Sequence, residues 1–164
     1  MSTKSFDVLE DVNKPAQLYN LPELPDHLWP DAIELYELWH SKKNNRAACS
    51  RQDLTPRDMI KQLPLISLHD IERDPFRLKV RLMGTQFAAA IGMDATDKYV
   101  DELDKTQDVI HRAQWVAENC EPILCIGLEL VWSPFDYKKY DSLVLPLIND
   151  EQSVDMILYL NRFY

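Results

Sequence analysis

The side chains able to do chemistry are few, and their spacing works against them. His69-Asp70 sets an imidazole beside a carboxylate, the parts of a general base and its orienting partner. They are neighbours in a segment that reads as a strand, where successive side chains leave on opposite faces, so no dyad is expected. His27, His40, His69 and His111 show no ligand spacing with one another or with cysteine. Cys49, Cys120 and Cys125 are odd in number and form no Cys-x-x-Cys pair, which points to free thiols in a reducing compartment. The chain has no G-x-S-x-G, no H-E-x-x-H and no glycine-rich phosphate loop, and its three glycines are too few for a backbone cradle. The expectation is no catalytic residue, no metal site and no cofactor.

One charged feature stands out. Arg77, Lys79 and Arg81 line one side of a strand in a chain of net charge -9. Such a stripe can receive an acidic partner or a carboxylate ligand. It can equally blunt a sheet edge, or pair with acidic residues such as Glu129 on other strands. The overall negative charge repels phosphate backbones and anionic bilayers, so neither nucleic acid nor membrane is an expected partner. No apolar run approaches the roughly 20 residues of a membrane helix, and MSTKSFDVLEDV lacks a signal peptide's apolar stretch. A cytoplasmic protein is expected.

The elements that must position these residues follow from punctuation and period. The chain has 164 residues, 46% hydrophobic and 27% charged, which suits one domain with a real core. Residues 1–29, broken by Pro15, Pro22 and Pro25, read as an arm that lies extended on the domain or is disordered. Residues 30–164 read as a single domain. A helix starts at Pro30. Its apolar residues Ile33, Leu35, Tyr36, Leu38 and Trp39 spread over more than one face. The second face packs either on the arm or on another subunit. Thr55-Pro56 predicts a further helix that ends before Pro64. LPLISLHDI reads as a strand. In FRLKVRLM, Phe76, Leu78, Val80 and Leu82 alternate with the three cations, the mark of a half-buried strand. A short helix ends at Gly92. Residues 104–120 read as a long helix whose stripe of Val109, Ala113, Val116 and Cys120 faces the core. Strands near 123–132, 139–148 and 153–162 have short connections, so an antiparallel meander is expected. Gly127 marks a bulge, and Pro146 confines its position to an edge or bulge. The class is α+β, a sheet with helices on one face.

Two strands, a helical middle and three strands is also the order of PAS domains. The stretch Asp74-Pro75-Phe76-Arg77 through Gly84-Thr85, then Gly92 to Leu103, resembles a mostly stand-alone bacterial PAS-like family, as does the closing SLVLPLINDEQSVDMIL. The resemblance covers roughly residues 30–160. Asp97 stands where that family has Gly, and the final turn, Asn149-Asp150-Glu151-Gln152, has none. The resemblance implies a five-stranded antiparallel sheet with helices crossing one face, a ligand between helices and sheet, and a homodimer through N-terminal helices. It carries over no catalytic residue.

On that fold a pocket is expected from Val80, Leu82, Phe87, Ile91, Val109, Ala113, Val116, Leu128 and Leu145, or else these residues simply fill the core. Haem would need a histidine on the long helix, but His111 lies about 160° from the centre of its apolar stripe and should face solvent. Asn119-Cys120-Glu121 lacks the arginine of a flavin-reactive cysteine. The expected function is a sensory or regulatory module that binds a small molecule or protein without catalysis. The alternatives are a constitutive adaptor with a filled core and a small cone-shaped α+β enzyme.

Overall fold

The computed structural model describes residues 17–20, 28–130 and 139–164. Its elements are β1 (Gln17–Asn20), α1 (Pro30–Lys42), β2 (Ile66–Glu72), β3 (Arg77–Met83), α2 (Thr85–Ile91), α3 (Gln107–Asn119), β4 (Ile123–Glu129), β5 (Lys139–Ile148) and β6 (Val154–Phe163), with 3-10 turns at Arg51–Asp53, Leu63–Leu65 and Val100–Glu102. The five long strands form the expected antiparallel sheet, with β4, β5 and β6 as a meander and β2–β3 joined to β6. Its order is β1-β4-β5-β6-β2-β3. The arm adds the sixth strand, extended along the domain at Gln17–Asn20. Four of its residues pair backbone to backbone with Ile123–Ile126 and close the β4 edge.

Both faces of the sheet are covered. The inner face carries α2, the 3-10 turn at 100–102 and α3. The outer face carries α1, whose Ala32, Leu35, Tyr36 and Trp39 are buried. The Trp39 indole Nε1–H donates to the Pro146 carbonyl at 2.9 Å. That explains β5, which is buried at every position from Tyr140 to Ile148. A strand dry on both faces reads as a continuous apolar run, here SLVLPLI. Pro146 lies beyond the last β4 pair, Ile123 with Val144, and so occupies a local edge as expected. Next to it Leu147 makes a parallel bridge to Cys49. Ile33 and Leu38, the second apolar side of α1, are half-buried against the core.

Local details depart from the simplest reading. Thr55–Gln62 forms turns rather than a helix, although the Thr55 hydroxyl does accept the Asp58 N–H. Pro64 is then the second residue of the 3-10 turn that leads into β2. The long helix starts at Gln107, not 104, because the Thr106 hydroxyl donates back to the carbonyls of Val100 and Leu103 instead of capping α3. Asp97 takes the glycine's place in the left-handed region, at φ 70°. The final turn does without glycine in the same way: Gln152 sits at φ 62°, and the Asn149 side chain accepts the Glu151 and Ser153 N–H groups.

Candidate functional site

Two bulges decide which side chains meet. In β2–β3 the register shifts between Leu68 and His69, so Arg81 is extra and the alternation reverses beyond it. Leu78 and Val80 point inward and are buried, whereas Leu82 is 42% exposed and Met83 takes the inward place. In β4 the shift lies between Cys125 and Leu128. Gly127 makes it possible at φ +74°, a conformation that disfavours a side chain even though nothing would crowd one. This is the bulge the sequence predicts. The Gly127 N–H donates to Asp141 Oδ1 at 2.9 Å. Asp141 is fully buried on the outer side, and it also accepts two bonds from Arg162 and one from the Tyr164 hydroxyl.

Between the inner face and the helices lies a cavity of about 60 Å³. Val80 and Met83 from β3, Phe87 and Ile91 from α2, Val100 and Leu103 from the 3-10 segment, and Val109 from α3 give it an apolar wall. A second part of the lining is polar. It comprises His69 from β2, Arg112 from α3, Tyr140 and Ser142 from β5, and Tyr159 and Asn161 from β6. The strand residues meet because they are paired across β5 and β6: Ser142 with Asn161, and Val144 with Tyr159. His69 stacks obliquely on Tyr159, with ring centres 4.6 Å apart.

These polar groups are deeply buried and incompletely bonded. His69 Nε2 shares a 2.8 Å hydrogen bond with the Ser67 hydroxyl, and Arg112 Nη2 donates to the Tyr140 hydroxyl at 3.1 Å. His69 Nδ1, Arg112 Nη1, the Tyr159 hydroxyl and Asn161 Oδ1 have no partner among the described residues. Burial drives the His69 pKa down to about 3, so the ring is neutral near pH 7. Burial also pushes the Tyr159 phenol up, out of reach of ionisation. Arg112 therefore supplies the cavity's positive charge.

Of the nine pocket residues expected from sequence, Val80, Phe87, Ile91 and Val109 line the cavity. Ala113, Val116 and Leu128 are fully buried packing and do not reach it. Leu82 is excluded by the bulge. Leu145 faces away, because its inward neighbour is Val144. The polar wall was missed. Ser142, Tyr159 and Asn161 sit in runs that read as strand core, and Arg112 sits on an otherwise apolar side of α3. The available signal was the 100° spacing that places Arg112 beside Val109, Ala113 and Val116.

The basic stripe is largely engaged within the chain. Arg77 makes two bonds to Asp101, at 2.7 and 2.8 Å, and stacks 3.6 Å above the Tyr99 ring. The Lys79 ammonium lies 5.8 Å from the same ring, and Arg81 reaches Asp70 at 3.5 Å. The outer edge of β3 is covered by residues 97–99, with Val80 bonded to Lys98 and Asp97. His111 is exposed, as the helical angle predicts. Cys120 is half-buried at the end of α3. Burial holds the thiols of Cys49 and Cys125 protonated, at about 12 and about 11. Among the described residues no group of three or more His, Cys, Asp or Glu is placed to hold a metal ion, and no helix is long and apolar enough to cross a membrane.

No curated protein sequence matches the chain. Among solved structures it is similar to an RNA-binding light-oxygen-voltage receptor, at 11% identity and a TM-score of 0.48. The similarity covers 90% of this chain and 38% of that one, so the chain spans well under half the receptor's length. The sequence profile described as PAS domain matches residues 29–159, from the first residue before α1 into β6. On that match the chain belongs to the PAS domain family.

Proposed function

We propose that the chain is a cytoplasmic sensory or regulatory module without catalytic activity, and that a small molecule held in the inner cavity changes how α1 sits on the outer face. PAS domains are typically sensory or regulatory. The observation that carries the reading is that four residues lining one partly apolar cavity each hold a deeply buried polar atom with no partner among the described residues. Buried polar groups are nearly always bonded, so a cluster of orphans in one place marks a binding site. Strand β5 links the two faces. Tyr140, Ser142 and Val144 touch the cavity, while the Pro146 carbonyl holds Trp39 of α1. A ligand can shift α1 only by binding its two positions unequally.

The size of the cavity limits what it holds. About 60 Å³ is far below the roughly 300 Å³ at which pockets for drug-sized ligands begin, so the ligand is small. Native mass spectrometry of the chain purified from its host is expected to show a bound mass below about 150 Da. Val109→Phe, which fills the cavity, should abolish that mass and any ligand-dependent change in Trp39 fluorescence. An empty wild-type chain would favour the adaptor with a filled core. A homodimer through α1 belongs to the same proposal, since Ile33 and Leu38 are only half-buried within one chain. Sedimentation of wild type against Ile33→Lys/Leu38→Lys tests it, and a monomer in both removes it.

A further inference from the structure

The class of the ligand follows from the polar wall, provided that the cavity is a sensing site. Arg112 is 4% exposed, yet among the described residues no carboxylate lies within ion-pair distance of it. Its single described side-chain partner is a neutral phenol, Tyr140. A buried cation without a counter-charge is costly, and a guanidinium presents a planar fork that fits a carboxylate better than any neutral group. The Tyr159 hydroxyl, 7% exposed as a residue and without a partner among the described residues, adds a second donor to the lining. With His69 neutral, the site holds one positive charge, which matches a monoanion and not a phosphate dianion. The same lining includes Val80, Phe87, Ile91 and Val109, which suit a short hydrocarbon. Size narrows the choice. A cavity of about 150 Å³ accepts benzene, so one of about 60 Å³ calls for a ligand well below benzene in size.

We propose that the cavity binds a short-chain monocarboxylate of acetate or propionate size, its carboxylate on Arg112 and Tyr159 and its alkyl end against the valines and Phe87.

The test uses the whole chain. Acetate and propionate are titrated by calorimetry and in thermal melts, against sodium chloride at equal ionic strength and against acetamide and propionamide as neutral isosteres. The expected result is one site per chain, a dissociation constant between about 10 µM and 10 mM given so few ligand atoms, and a raised melting temperature with the carboxylates alone. Arg112→Met should weaken binding at least tenfold. Tyr159→Phe, which keeps the ring packing on His69, should weaken it severalfold, and it decides the matter if Arg112→Met does not fold. Equal responses to amide and acid, undiminished affinity in the variant that folds, or no response to either acid overturns the proposal. The native mass then separates the two claims. A neutral or cationic adduct leaves the sensing cavity standing and removes only the carboxylate. A cavity holding water alone removes both.

Discussion

At the scale of single residues, the inner and outer faces treat charge in opposite ways. On the inner face His69 is kept neutral by burial, with Ser67 on Nε2, the Tyr159 ring beside it, and Arg112 and Tyr140 as the other ionisable groups of the wall. Its folded pKa of about 3 lies below the ordinary 6.5. Between those values the unfolded chain takes up a proton that the folded chain refuses, so stability falls as pH drops from 6.5 towards 3. The expected loss from this group is about 2 kcal/mol between pH 7 and pH 5. Urea midpoints of wild type and His69→Gln at the two pH values check it, and the difference between the two slopes isolates His69 from the carboxylates. On the outer face the buried Asp141 carboxylate is met by Arg162, the Gly127 N–H and the Tyr164 hydroxyl. Asp141→Ala leaves the Gly127 amide without its acceptor and should cost about 3 kcal/mol. A loss below about 1 kcal/mol in a denaturant melt would show that water replaces the carboxylate.

At the scale of elements, the bulges mark the limit of what periodicity can reveal. Alternation located β3 correctly and placed Leu78 and Val80 on the core, but a one-residue insertion after Val80 exchanged Leu82 for Met83. Nothing in RLKVRLM announces that insertion, since arginine and leucine fit either side of a bulge. Gly127 did announce its own, because a glycine inside a strand has no packing purpose. The turn at 55–62 shows the reverse error. Its capping residues are those of a helix, but they close only local turns before Pro64. Gly84 is a junction the sequence does not explain. A Cβ there would run into the backbone carbonyl oxygens of Leu63 and Pro64, while its own N–H donates to Ile66 at 2.8 Å. Gly84→Ala should therefore destabilise by about 2 kcal/mol or more, because backbone on both sides cannot move aside. A melting temperature near wild type would mean that the 3-10 turn yields.

At the scale of the whole molecule, fold and family were legible and the site was only half so. The order of helices and strands, the meander and the motif around Gly84-Thr85 are local signals repeated along the chain, and they agree with one another. The apolar wall inherited that clarity. The polar wall did not, since it brings together His69, Arg112, Tyr140 and Tyr159 from four elements, and their convergence is a property of sheet register. The same register places β5 and β6 at the centre, flanked on both sides and dry on both faces along β5. Amide hydrogen exchange should be slowest from Leu143 to Leu147 and in the facing residues Met156–Leu160, and fastest in the turns at 55–62. Comparable rates in β5 and β3 would contradict a core centred there.

The cover that α1 lays over the outer leucines bears on any attempt to trim the chain. A fragment begun at Ile66, the first of the five long strands, would retain the cavity but bare Leu143, Leu145, Leu147, Leu158 and Leu160, all now 1% exposed or less. So large a greasy stripe does not stay wet; it recruits copies of itself. Such a fragment is expected to elute as a soluble aggregate, and a fragment begun at Leu28 as a discrete species.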